Sequence, residues 1–170
     1  MIKQRKLKTE RLILKRIKSN QWKKFLDRII GTDDFCLYFG MDKNEVLLEM
    51  IRKPVKGVLY YAIIKKGTKE MTGIIGFSLN NKVEFYTFKE HRNKNYCSEA
   101  LKAFADACLK GKVTGKKCKC VFAETLESNG ASARVLEKAG FEFVCSSRSI
   151  FMKNENDDKE ERQLMFEYYG

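Results

Sequence analysis

Hydrophobic positions along the 170-residue chain change their period several times, and each change marks an element. Leu12, Ile13 and Leu14 stand between charged neighbours and read as a first strand. From Ser19, a residue suited to capping a helix, Trp22, Phe25, Leu26 and Ile29 recur at helical spacing, and Gly31 follows as a stop. Asp42 with Glu45 forms the reciprocal capping pattern of a second helix, whose face is Val46, Leu47, Met50 and Ile51 and which ends at Pro54.

The period then shortens to that of strands. VLYYAII, the turn KKGTKE, MTGIIGFSL, the dipeptide Asn80-Asn81 and KVEFYTF predict three strands joined by short hairpins, an antiparallel meander. Cys97, Ala100, Leu101, Phe104, Ala105, Cys108 and Leu109 fit the helical template at every step, and Gly111 ends the run. CKCVFAET predicts another strand, with Cys118 and Cys120 on one of its faces. ASARVLEKAGF predicts a short helix closed at Gly140, and the rest of the chain two long strands around NENDDKE. This order of elements predicts a mixed α/β (α+β) fold with a central meander and no internal repeat, built as a single domain over residues 1–170.

Composition fits that picture: 44% hydrophobic and 33% charged residues with a single proline describe a globular chain without a Pro-rich tail. The opening MIKQRKLKTERLILKRIK lacks the apolar run of a signal peptide, and no stretch has the length and apolarity of a membrane span, so a cytoplasmic protein with no membrane contact is expected. The six cysteines read as reduced thiols in that compartment. Cys118 and Cys120 have neither a second cysteine pair nor a nearby histidine, so no metal is expected.

The charge of +12 is unevenly spread. Residues 1–28 hold eleven Lys or Arg against Glu10 and Asp27, a surface that attracts nucleic acid, an acidic protein or a phosphorylated cofactor, or that is simply solvated. A sharper signal is HRNKNYCSEAL at residues 91–101, a basic loop that opens a helix. The first amides of a helix lack intrahelical acceptors and carry partial positive charge, so an anion fits there. Arg92 and Lys94 add full charges, making a phosphate or pyrophosphate the natural ligand.

Four stretches together resemble the GCN5-related N-acetyltransferase (GNAT) family, in its branch of ribosomal-protein N-terminal acetyltransferases. That family's pyrophosphate loop has the form Arg/Gln-x-x-Gly-x-Gly/Ala before a helix; here Arg92, Asn93, Lys94, Asn95, Tyr96 and Cys97 occupy it. TERLILK at 9–15 is similar to the branch's first strand, and GIIGF at 73–77 to its third. SNGASARVLEKAGF at 128–141 matches the segment Asn-x-x-Ser-x-x-Val-Leu-Glu-Lys-x-Gly-Phe at every fixed position. Asn95 and Cys97 depart from the loop's small residues, which leaves open a weakened cofactor site or a non-catalytic member.

The resemblance implies a mostly antiparallel central sheet of six to seven strands, splayed between its fourth and fifth, with about four helices. It implies acetyl-CoA as co-substrate and a primary amine as acceptor, attacked directly in a ternary complex. The amides from Arg92 to Cys97 would hold the pyrophosphate, and the backbone of Phe85, Tyr86, Thr87 and Phe88 would pair with the pantetheine. Asn129 would bond the pantetheine arm, and Ser132 would protonate the leaving sulfur. Capping of the following helix is the other role open to Asn129 and Ser132.

Glu84 and Glu124 are the candidate general bases, each equally able to be a solvated acid. Tyr86 is a further candidate acid, and His91 stands beside the phosphate loop rather than at the sulfur end. Deprotonating an α-amine at pH 7 costs about 1.4 kcal/mol and a lysine about 4.6 kcal/mol, which favours a protein or peptide N-terminus as acceptor. Polyamine, amino-sugar and amino-acid acceptors stay open, as do monomer and homodimer. The competing reading is a non-catalytic GNAT-fold module that binds nucleic acid or the ribosome through the basic N-terminal region. Another makes Cys97, at a helix start among bases, a reactive thiol.

Overall fold

The structure, a computed structural model, describes residues 4–30, 32, 53–54, 56–78, 80–148 and 162–170. The stop at Gly31, all but the end of the helix expected over 42–53 and most of the acidic turn after Asn154 lie outside the described residues. In chain order the elements are β1 (Lys6–Lys8), β2 (Leu12–Arg16), α1 (Ser19–Ile29), β3 (Val58–Lys65), β4 (Met71–Ser78), β5 (Val83–Thr87), α2 (Tyr96–Leu109), β6 (Val121–Leu126), α3 (Gly130–Lys138), β7 (Glu142–Arg148) and β8 (Arg162–Tyr168). A 3-10 turn, Lys89–His91, stands between β5 and α2.

β1 to β5 form one antiparallel sheet in sequence order, and β6, β8 and β7 form a second. The meander of β3, β4 and β5 falls where the strand period placed it. Its continuous apolar runs follow from burial on both faces. On one face lie Trp22, Phe25, Leu26 and Ile29 of α1, against Tyr60, Ile74, Tyr86 and Phe88. On the other, Ala100, Leu101, Phe104 and Cys108 of α2 pack on Leu14, Tyr61, Ile75 and Phe77. The hairpin turns take the left-handed conformations their residues permit, at Gly67, Lys69 and Asn81.

Several expectations shift. β1 is an additional strand of three residues, too short for its alternation to show in the sequence. Lys18 rather than Ser19 caps α1, its amide bound by Gln21 Oε1 at 3.1 Å. The expected single sheet of six to seven strands is instead a five-stranded and a three-stranded sheet, and three α-helices are present among the described residues. Cys118 and Cys120 precede β6, which begins only at Val121 and pairs with β8 from that residue onward.

Where the sheets meet, the residues just before β5 touch the start of β6. The Phe122 amide donates to the Asn81 carbonyl at 3.1 Å, and Lys82 forms a parallel bridge with Phe122. Beyond that point the two strands share no ladder among the described residues. The splay between them fixes the position of the site.

Candidate active site

The loop leaving β5 reverses direction through two left-handed residues, Asn93 (φ 59°) and Asn95 (φ 58°), before α2 begins at Tyr96. Asparagine reaches this region at lower cost than most residues, so the chain makes a glycine-like turn without glycine. The Asn95 side chain is fixed from outside the loop, its Oδ1 accepting from Lys138 Nζ at 3.2 Å. The first amides of α2 follow immediately and have no acceptors within the helix.

This turn faces a cavity of about 690 Å³ in the opening between β5 and α3. Glu84, Phe85, Tyr86 and Thr87 line it from β5; Arg92, Asn93, Asn95, Tyr96 and Cys97 line it from the loop; Asn129 and Ser132 line it at the start of α3. The Phe88 amide is spent on the Thr72 carbonyl of β4, so by the alternation of an antiparallel strand the backbone groups of Phe85 and Thr87 face the other way, toward the splay. The Asn81 bond to Phe122 has the same parity and the same direction.

Three expected residues do not line the cavity. Phe88 is buried among Trp22, Phe25 and Tyr86 and is covered by the Arg28 guanidinium 3.3 Å from its ring centre. Lys94 turns back, its Nζ donating to the Glu90 carbonyl at 2.8 Å. Glu124 is paired with Lys82 and accepts from Gln163 Nε2 at 3.0 Å, which ties it to the closed end of the splay. Expected at the open slot, this carboxylate instead sits in a cross-sheet ion pair with Lys82, outside the cavity lining.

Glu84 is held differently. Gly76 of β4 lies between Tyr60 of β3 and Glu84 of β5 in register, and a Cβ there would come within 2.7 Å of Glu84 Oε1 and 2.8 Å of Tyr60 Cε1. The missing side chain lets Tyr60 reach across and donate its hydroxyl to the Glu84 carboxylate. Burial first, then the Glu84 charge and this hydrogen bond, raise the Tyr60 hydroxyl well above its ordinary pKa and keep it protonated. The result is a Glu84 side chain held in place at the cavity wall.

Other side chains take less expected parts. Arg92 Nε donates to the Thr87 carbonyl at 3.1 Å, and its guanidinium lies 5.8 Å from the Tyr86 ring centre. Cys97 is 7% exposed, and burial pushes its thiol up to about 11 against a hydrogen bond with Thr87. A thiol so raised is protonated at neutral pH, which removes the basis for a reactive Cys97. His91 is 6% exposed at the loop end, with Nε2 3.5 Å from Glu70 Oε1. Asn129 Oδ1 accepts from the Ser132 amide at 3.2 Å, so the capping role is present. The Asn129 Nδ2 group is separate from that bond and can still act as a donor.

Sequence reasoning missed Tyr60 and Gly76 behind the cavity wall, and Arg134 and Lys138 of α3, which line the cavity. Lys138 lay within the matched VLEK segment and was legible there; the row of Tyr60, Gly76 and Glu84 required the strand register. Among the described residues no group of three or more His, Cys, Asp or Glu is placed to hold a metal ion, and no helix is long and apolar enough to cross a membrane.

A splayed antiparallel sheet with an amide-rich turn at one side of the opening defines a fold with room for an extended, anion-bearing ligand between two strands. Comparison with known proteins gives the family: residues 11–142 match the profile described as Acetyltransferase (GNAT) domain, and the chain belongs to that family of N-acetyltransferase enzymes. No curated protein matches it. Among solved structures, an acetyltransferase (GNAT family) from Bacillus anthracis is similar with a TM-score of 0.73 and 19% identity over 96% of this chain and 98% of that one. The ribosomal-protein-S5-alanine acetyltransferase of Vibrio fischeri gives 0.71 and 14% over 96% of each. A Salmonella typhimurium acetyl transferase, described as modifying the N-terminal serine of the 50S subunit protein L7/L12, gives 0.69 and 12% over 95% and 96%.

Proposed function

We propose that the chain transfers the acetyl group of acetyl-CoA to a primary amine, foremost the α-amine of a protein or peptide N-terminus, by direct attack in a ternary complex. The observation that carries this reading is the convergence of the double left-handed turn, the open edge of β5, Asn129, Ser132 and Glu84 on one cavity. The cofactor, when bound, supplies the thioester carbonyl. Amides of residues 93–97 hold its pyrophosphate, the backbone of Phe85 and Thr87 pairs with its pantetheine, and Asn129 Nδ2 donates to the same arm.

Glu84 takes the ammonium proton, directly or through a water, while Tyr60 restrains the carboxylate. Ser132 gives its hydroxyl proton to the departing sulfur as the C–S bond breaks, and regains one from the attacking nitrogen as the amide forms. Glu84 is the base in preference to Glu124, because Glu124 is already committed to Lys82. With one carboxylate at the wall, the lower cost of deprotonating an α-amine supports a protein N-terminus, and two similar structures are described as acting on ribosomal proteins. The exposed bases Arg5, Lys6, Lys8 and Lys15 fit contact with RNA or the ribosome around such a substrate. The free thiols fit the cytoplasm, and residues 1–170 fit one acetyltransferase domain.

The test is to incubate the protein with acetyl-CoA and a panel of peptides and small amines and to follow release of free thiol. Turnover on peptides that is lost in Glu84→Gln and kept in Glu124→Gln supports the reading. Turnover confined to small amines would refute the acceptor assignment. Saturable acetyl-CoA binding without turnover on any acceptor would refute the catalytic one.

A further inference from the structure

Thr9-Glu10-Arg11 lies in the turn between β1 and β2, remote in sequence from the cofactor loop, yet its side chains reach the first turn of α2. Thr9 Oγ1 donates to Glu99 Oε1, and the Arg11 amide donates to the same oxygen at 2.9 Å. Arg11 Nε donates to Glu99 Oε2 at 2.6 Å. The guanidinium continues past the helix: Nη1 donates to the Lys94 carbonyl at 3.1 Å, and Cζ lies 4.9 Å from the centre of the Tyr96 ring. One arginine thus touches the loop between its two left-handed asparagines, the first residue of α2 and the helix's first acid.

The turn that carries these groups is itself held. The Leu12 amide donates to Thr9 Oγ1 at 2.9 Å and the Thr9 amide to the Leu12 carbonyl at 3.0 Å. Just beyond β3, Lys66 Nζ donates to the carbonyls of Thr9 and Glu10, and the Lys66 amide donates to the Arg11 carbonyl at 2.9 Å. The arrangement therefore links the sheet to the loop through fixed backbone.

We infer that Thr9 and Arg11 are positioning residues for the anion cradle: they hold Lys94 and Glu99 so that the amides of residues 93–97 converge on one phosphate group. This rests on the reading of that loop as the pyrophosphate site. Two physical demands support it. Left-handed residues at Asn93 and Asn95 cost strain that surrounding contacts must hold in place. A carboxylate one turn into α2 would also repel a bound anion unless a cation faced it, and Arg11 is that cation.

A purely structural tie predicts something different, so the two are separable. The variants are Arg11→Ala, Arg11→Lys and Thr9→Val in the full chain. CoA affinity is measured by calorimetry, exchange of the amides of residues 93–97 by hydrogen–deuterium mass spectrometry, and kcat/KM with acetyl-CoA and with S-acetylpantetheine, which lacks the phosphates. Arg11→Ala is expected to weaken CoA binding about tenfold. Exchange at 93–97 should rise, while kcat/KM on S-acetylpantetheine should change by less than about twofold.

Arg11→Lys keeps the charge but loses the two-point geometry, so it falls between wild type and Ala. A folded Arg11→Ala protein with unchanged CoA affinity and unchanged loop exchange overturns the inference, as do equal losses on both donors. Should Arg11→Ala fail to fold, Arg11→Lys and Thr9→Val decide by the same measures. A wild-type protein that binds no CoA overturns the pyrophosphate reading itself, a result distinct from wild-type binding that Arg11 does not influence.

Discussion

At the scale of single residues, the site depends on backbone conformations that side chains rarely permit. Asn95 sits at φ 58°, so Asn95→Gly should retain or modestly tighten CoA binding, since glycine removes strain while adding freedom to the unbound loop. Asn95→Val places a β-branched residue in the left-handed region and should weaken binding by at least about tenfold. Calorimetric titration of both variants, with melts to check the fold, reads the difference; equal affinities would mean the turn is not what positions the phosphate. Gly76 imposes the opposite demand, for space. Gly76→Ala would press on both Glu84 and Tyr60, whose contacts at 2.7 and 2.8 Å leave no room. It should lower kcat by one to two orders of magnitude, on the order of 1.4–2.8 kcal/mol in the barrier, with little change in CoA affinity. A KM effect without a kcat effect would place Glu84 in substrate binding instead.

At the scale of elements, the turn between β1 and β2 holds α2 through Glu99. Burial disfavours the Glu99 carboxylate, but the bonds from Thr9, the Arg11 amide and the Arg11 guanidinium outweigh it and hold the group below the ordinary carboxylate value of 4.5. A lowered folded-state pKa contributes stability that is complete above the unfolded value and is lost as the pH falls through the folded one. Glu99→Gln should thus cost about 1 kcal/mol at pH 7 and progressively less in acid, as urea titrations at both pH values would show. A cost independent of pH would assign the effect to packing. This link was not legible in the sequence. TERLILK and SEAL could each be recognised, but nothing in their spacing states that Thr9 and Arg11 meet Glu99. What could be read were the periodic elements: α2, because seven apolar positions keep one face, and the meander, because burial of β3 and β4 on both sides leaves unbroken apolar runs. Asn129 and Ser132 were legible for a similar reason, since a fixed local segment carries them. The ion pair of Glu124 was not legible because alternation gives the face of a residue and not its neighbour, and Lys82 is a neighbour only through the bridge at Phe122. The C-x-C stretch was drawn into a strand because its alternation continues past the point where β8 ceases to pair.

At the scale of the whole molecule, two sheets share their first contact at Asn81, Lys82 and Phe122 and then part. A cofactor that pairs with β5 on one side and meets α3 on the other would join them, so ligand binding should be felt throughout the fold. At about a hundred times its dissociation constant, CoA should add about 2.7 kcal/mol to stability, visible as a rise in the melting midpoint. Hydrogen exchange should slow in β5 and α3 together. Slowing confined to the loop would mean that the phosphates bind without the pantetheine filling the splay.

Asn129 precedes Gly130, and that adjacency gives the protein a chemical lifetime. In such a pair the glycine nitrogen can attack the side-chain amide, expelling ammonia and, after water opens the ring, leaving aspartate or isoaspartate. Folding slows this, because Gly130 is already the first residue of α3 and the Ser132 amide holds Asn129 Oδ1 at 3.2 Å. The same bond that begins a helix thereby protects the amide proposed to meet the cofactor. Protein aged at high temperature or in denaturant, then refolded, should acquire a more acidic form on isoelectric focusing that keeps its helices, since a carboxylate suits a helix start. That form should bind CoA more weakly, for the amide donor is gone; intact affinity in the acidic fraction would show that Asn129 serves only the helix. The age of a preparation becomes readable in its charge.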